Sequence, residues 1–185
     1  KLFADCTGDG QIGFLAGADF ETTAIRHMGA SNLWSPVETK NQQDFPRCPW
    51  AIDLSEKPFP GRGGRTAQWT GTGLDLLGVW FWESGFNWHP VDDMELTRDW
   101  NFRAMYGAWD ALKNIDKVYP NHKLNWAAYI SGRRESRRLL GDILLTEDDI
   151  VSGRKFEDAC FPCTWGLDIH TPHPEFQKGF EGQEF

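Results

Sequence analysis

From residue 93 onward the apolar positions repeat with helical spacing. Trp100, Ala104, Ala108, Leu112 and Ile115 fall on one stripe, while Arg98, Asp99, Arg103, Asp110, Lys113 and Asp116 mostly lie off it. The pattern predicts an amphipathic helix over about 93–117, opened by an acidic capping box, Asp92-Asp-Met-Glu95, and ended ahead of Pro120. Its role is that of a scaffold. At the N-terminal end, Leu2-Phe3-Ala4 reads as the end of a buried strand. The chain then turns through Thr7-Gly8-Asp9-Gly10 and re-enters as a short helix with Ile12, Leu15 and Ala16 on one face.

Between these two elements the pattern loses its period. Pro36, Pro46, Pro49, Pro58 and Pro60 forbid a long helix over 28–66, and Phe59-Pro-Gly-Arg-Gly-Gly-Arg65 reads as a flexible basic turn, so the stretch is either a functional loop or a surface excursion. Residues 67–82 are aromatic and β-branched, predicting strands broken at Gly71 and Gly73. After the helix, Leu124–Ile130 reads as a strand ended by Gly132, and the apolar pairs after Arg138 favour a further strand. Thr146-Glu-Asp-Asp149 caps a short helix that Gly153 stops.

The strand, glycine turn and helix start at 4–13 place backbone amides and the positive end of a helix dipole around one turn, the arrangement of an anion site. Gly8-Asp-Gly-Gln-Ile-Gly13 also satisfies the G-x-G-x-x-G pattern, but Met28–Trp34 lacks the carboxylate expected about twenty positions on. Nucleotide binding and a plain tight turn therefore both remain open on pattern alone.

Three ordered segments carry a resemblance. Ala4-Asp-Cys-Thr-Gly-Asp-Gly10 with Leu15-Ala-Gly-Ala18, then Asn125–Ile150, then Thr164-Trp-Gly-Leu-Asp-Ile-His-Thr-Pro172, together resemble the bacterial FAD-dependent oxidoreductase family of the glutathione-reductase-like superfold. Cys6 departs from the alanine more common there. The resemblance implies an α/β fold: a partial FAD-binding Rossmann-like domain, represented by 1–27, with a mixed, β-rich substrate-covering region over 28–185. It implies FAD as cofactor, with Asp5, Thr7, Gly8, Asp9 and Gly10 as its contacts; in that family this turn is a second, late contact with FAD. It also implies an internal piece of a longer enzyme, since these residues lack the strand, glycine loop and helix that would hold the ADP half of FAD and stop before the strand that would close the flavin site. A fragment of this kind is expected to be inactive alone.

Composition narrows the partners. A net charge of −8 argues against nucleic acid, and no apolar run approaches the roughly 20 residues of a membrane helix, so the expected partner is a small molecule. Ten tryptophans exceed what one core requires, and the surplus suits a sugar-like, hydroxylated substrate or, alternatively, a non-catalytic carbohydrate- or partner-binding module. Glu83 and His89, just past a predicted strand, are candidates for proton transfer or hydroxyl binding, although a histidine in a turn is more often solvated.

Arg133-Arg-Glu-Ser-Arg-Arg138 would crowd four guanidiniums on one helical face, or split them between two faces of a strand. It is either an anion clamp, with Arg133 and Arg137 facing the flavin or substrate, or a surface ion-pair network. His170, alternating with Asp168, is a last catalytic candidate. Cys160-Phe-Pro-Cys163 has redox-motif spacing, but Pro162 and the following Thr-Trp-Gly favour a turn with structural cysteines or a local disulfide; no metal is expected.

Overall fold

The computed structural model describes residues 2–56, 59, 62 and 82–164. Its elements are α1 (Gln11–Leu15), β1 (Phe20–Glu21), β2 (Trp34–Glu38), α2 (Met94–Asp110) running into a π-helical turn (Ala111–Ile115), β3 (His122–Ala127), β4 (Arg138–Leu139) and α3 (Glu147–Val151). Helices mixed with two small antiparallel sheets are compatible with the α/β class. The chain divides into two units, one from residues up to Thr22 together with the segment starting at Ser136, the other spanning Thr23–Glu135.

The larger unit is organised on α2. Its buried face runs through Thr97, Asn101, Ala104, Met105, Ala108, Trp109 and Leu112, a stripe turned slightly from the predicted one, so that Ile115 is exposed and Asp110 is buried. Trp109 meets Trp34 edge-on at 6.1 Å, and Leu54, Phe59 and Trp82 complete the core. Two indoles of this size contribute roughly 4–6 kcal/mol each from area alone. Gly107 lets the chain cross the helix: a Cβ there would stand 1.9 Å from the carbonyl oxygen of Ile52.

The predicted acidic box does not form. Asp93 occupies the N-cap position without a side-chain cap, because its Oδ2 accepts the amide of His89 at 2.8 Å instead. At the other end Lys113, its charge disfavoured by burial, donates to the carbonyls of Tyr119, Pro120 and His122 at 2.9, 3.1 and 3.0 Å. It thereby folds the exit loop back toward β3.

Strand β3 forms where a strand was expected, and its partner β2 lies inside the proline-rich stretch. The register shifts between Ser35 and Pro36, the kind of irregularity at which a strand accepts a proline. The pairing is extended by single bridges, Ala30 with Ser84 and Ser31 with Gly132. The expected basic turn is not loose at its described positions. Phe59 is buried in the core, and Arg62 grips Asp116 through two 2.8 Å bonds while donating to the carbonyl of Leu54 at 2.6 Å. The strands predicted over 67–81 lie outside the described residues.

In the smaller unit, β1 and β4 pair antiparallel, Phe20 opposite Leu139 and Glu21 opposite Arg138. Helix α3 starts as the sequence indicates, with a capping box between Thr146 and Asp149, and the chain leaves it through Gly153 at φ 63°. Leu2–Cys6 is not a buried strand: among the described residues it has no ladder partner, and Leu2 and Phe3 are fully exposed. The apolar positions 143–145 likewise stay out of β4, which ends at Leu139. No described helix is long and apolar enough to cross a membrane.

Candidate functional site

The turn at 5–13 is shaped by one carboxylate. Asp5 Oδ1 accepts the amide and hydroxyl of Thr7 at 3.1 and 2.7 Å, and Oδ2 accepts the amides of Ile12 and Gly13 at 2.9 and 3.0 Å. The Thr7 oxygen in turn accepts the amide of Gln11 at 3.0 Å. The hydroxyl of Thr7, then the amides of Gly13, Thr7 and Ile12, hold the Asp5 carboxyl down at about 2. The expectation of open helical amides is thereby corrected. The first three N–H groups of α1 already serve Asp5 and Thr7, and the positive end of that short helix faces a carboxylate of its own chain.

The segment following residue 135 packs beneath this turn. Ser136, buried, donates to the carbonyl of Gly8 at 3.5 Å. Arg137 donates to the carbonyl of Asp9 at 3.3 Å and to Gln11 Oε1 at 3.0 Å, with its guanidinium 4.2 Å from the Phe14 ring centre and 5.9 Å from that of Phe20. Leu139 fills the space under two of the glycines: a Cβ on Gly10 would lie 2.8 Å from its Cγ, and one on Gly13 2.3 Å from its Cδ1. Gly8 differs. At φ +78°, a Cβ there would have nothing within 4 Å among the described residues.

The three glycines of the pattern thus do different work. Gly10 and Gly13 admit Leu139 of the same chain, and Gly8 alone presents bare backbone outward. Among the described residues the amides of Gly8 and Gly10 make none of the hydrogen bonds, while Asp9 between them is 8% exposed. This is a surface a nucleotide cofactor can approach at Gly8, on a turn whose shape is already fixed. The residues present fit such a group at the turn and not at the helix end.

Asp5, Thr7, Gly8, Asp9, Gly10 and Arg137 are therefore brought together within the smaller unit. The other described candidates belong to the larger one. Glu83 is 1% exposed at its side chain and lies 3.4 Å from the Nε of Arg134, itself 18% exposed. His89 is exposed; its Nδ1 accepts the amides of Asp92 and Val91 at 3.0 and 3.4 Å and sits 3.2 Å from the Asp92 carboxylate. Arg133 is exposed, and Glu135 accepts the amide of Met28 at 2.6 Å and the hydroxyl of Thr23 at 3.3 Å. The basic run is extended rather than helical, and its members find separate partners: Arg134 with Glu83, Arg137 with the turn, and Arg138 with Glu21 at 4.0 Å. His170 lies outside the described residues, as do Trp165 and Asp168.

A buried polar network in the larger unit had no sequence signal. Asn101 donates to the carbonyl of Ala30 at 2.8 Å and to Asn32 Oδ1 at 3.2 Å, the hydroxyls of Ser84 and Ser131 donate to Asn101 and Asn32, and Asn32 donates to the carbonyl of Ala128 at 2.9 Å. Nothing in a helical stripe marks one polar position as facing inward. Among the described residues no group of three His, Cys, Asp or Glu side chains is placed to hold a metal ion.

No curated protein and no solved structure matches the chain. A family model does, that of the FAD dependent oxidoreductases, over residues 1–184. Since that match covers nearly the whole chain, the chain belongs to the FAD-dependent oxidoreductase family, with FAD as its cofactor.

Proposed function

We propose that this chain supplies one cofactor contact and part of the substrate side of an enzyme that moves a hydride between FAD and a small hydroxylated or sugar-like molecule. The observation that carries the reading is the open α-carbon of Gly8 on a turn locked by Asp5 and Thr7. In this reading Gly8, Asp9 and Gly10 touch the cofactor, Asp9 on its ribityl or pyrophosphate side. Asp5 and Thr7 act by holding the turn in shape, so no reorganisation is needed when the cofactor binds. The bound FAD supplies the two-electron chemistry.

The chain's own residues supply orientation and charge. Arg137 secures the turn from below through the carbonyl of Asp9, which makes it a positioning residue for Gly8 and its neighbours. On the substrate side the assignment is to Glu83, His89, Arg133 and His170. Glu83, buried 3.4 Å from the Nε of Arg134, is assigned to hold a hydroxyl or a cationic edge of substrate. His89, with Nδ1 committed to backbone amides, offers Nε2 for proton exchange at the substrate. The Rossmann-like character of the FAD-binding part, represented by 1–27, belongs to the same reading.

Half-exposed Trp50 and Trp126 keep the alternative of a glycan-binding module in play. The visible spectrum of the intact purified protein, followed by anaerobic titration with sugar alcohols and hydroxy acids, decides between them. Bleaching of the visible flavin bands by one of these classes supports the enzyme. A colourless protein that retains glycans supports the module.

A further inference from the structure

Cys160 and Cys163 are absorbed by nothing above. Both thiols are free and exposed, and they stand three positions apart. The chain enters this stretch through a turn closed by the amide of Ala159 on the carbonyl of Phe156 at 3.3 Å, and the Cys160 thiol reaches back to the carbonyl of Asp158 at 3.6 Å. It then bends at Phe161, whose side chain is 77% exposed. Among the described residues no backbone hydrogen bond runs through 160–163 and no core side chain anchors them.

We propose that Cys160 and Cys163 form a reversible dithiol–disulfide couple, open to exchange with small disulfides. Bringing two α-carbons into the roughly 4.4–6.8 Å range of a disulfide requires backbone freedom, and here the adjustment breaks no ladder and uncovers no core. Pro162 fixes one dihedral inside the loop to be closed, which lowers the entropy lost on closure. The step is thiol–disulfide exchange. One cysteine thiolate attacks a sulfur of the small disulfide and expels one small thiol, leaving a mixed disulfide; the second cysteine then attacks the first and expels the other. Two cysteine thiols are oxidised, one disulfide is reduced to two thiols, and the two cysteine protons leave with them.

The other two thiols serve as internal controls. Cys48 is buried, donates to the carbonyl of Pro46 at 3.5 Å and is pushed toward the neutral thiol by desolvation. Cys6 is exposed but has no cysteine three positions away.

The test is peptide mass mapping, without reduction, of the intact protein equilibrated with glutathione buffers of graded disulfide content. The expected result is a 160–163 peptide lighter by two hydrogens and free of glutathione, half-formed at a disulfide content at least tenfold below that which modifies Cys6. Cys48 should remain a thiol and dithiothreitol should restore all four thiols. Cys163→Ser, at an exposed position, should leave Cys160 carrying glutathione. Separate adducts on Cys160 and Cys163, a bridge from either to Cys6, or unmodified thiols at both positions would each overturn the couple.

Discussion

Replacing Gly13 with alanine separates two opposite expectations for the glycine turn. On an isolated helix the change stabilises, since glycine in a helix interior costs about 1 kcal/mol relative to alanine. In this chain the new methyl would sit 2.3 Å from Cδ1, 2.8 Å from Cδ2 and 3.2 Å from Cγ of Leu139, so the whole branched end of that side chain must move. Overpacking of this kind costs about 1–3 kcal/mol, and three close atoms place it toward the upper end. The net expectation for Gly13→Ala is a local loss of about 1–2 kcal/mol.

With Leu139→Ala already present the obstruction is gone, and the same Gly13→Ala change should stabilise by about 1 kcal/mol. The coupling between the two sites is then about 2–3 kcal/mol, within the range of directly contacting residues. Hydrogen exchange at the amides of Phe14 and Ala16, which bond to the carbonyls of Gly10 and Ile12, reads this locally. If Gly13→Ala stabilises α1 in the otherwise unchanged protein, or if the two changes add to within about 0.5 kcal/mol, Gly13 is not there to admit Leu139.

Three further outcomes follow from the same contacts. Gly107→Ala should lower stability by about 3 kcal/mol in urea denaturation, because its Cβ meets the main-chain oxygen of Ile52 at 1.9 Å and a backbone cannot rotate away; a loss under 1 kcal/mol would contradict the crossing. Asn101→Ala strands the Ser84 hydroxyl inside the larger unit and takes one of two donors from the Ala30 carbonyl, and should cost about 1–3 kcal/mol by thermal denaturation, whereas a neutral result would mean the network is not shielded from water. Acid should loosen the smaller unit: Asp5 and Asp149 both titrate at about 2, Asp5 through Thr7 and backbone amides and Asp149 chiefly through Arg154. Folding therefore favours their charged forms, and the support they give is complete above the ordinary carboxylate pKa near 4 and disappears as pH falls from about 4 toward 2. Protection of the Ile12 and Gly13 amides, taken against the intrinsic exchange rate at each pH, should fall across that window in the parent and stay constant in Asp5→Asn.

What could be read from the sequence was what local chemistry decides. The long helix was legible because 97–112 repeats an apolar or small residue every three or four positions, and the start of α3 because Thr146 and Asp149 need only each other. The acidic box at 92–95 failed for the opposite reason, since Asp93 finds a stronger claimant in the amide of His89 than in its own helix. Leu2 and Phe3 read as a strand, but a strand exists only beside a neighbour. β2 was hidden because Pro36 masks a strand unless the register shift beside it is known.

At the site, the sequence marked the turn and its residues but not the division of labour among them. Which glycine faces outward depends on Leu139, and which arginine does what depends on Asp9, Glu83 and Glu21, all far along the chain from the basic run. Asp5 illustrates the limit most clearly. Its type and place in the motif suggested a ligand contact, while its four accepted hydrogen bonds come from the chain itself.

The central claim is that Gly8 is bare so that the cofactor can lie against it, and one measurement addresses it directly. Gly8→Val, in the intact protein, adds a side chain whose Cβ has nothing within 4 Å among the described residues and strains a left-handed residue by about 1–2 kcal/mol. FAD affinity, followed by the visible absorbance and fluorescence of titrated flavin, should fall at least tenfold while exchange at Ile12 and Gly13 shows the Asp5 clasp intact. Undiminished FAD binding by that variant, with the turn still formed, would contradict the account.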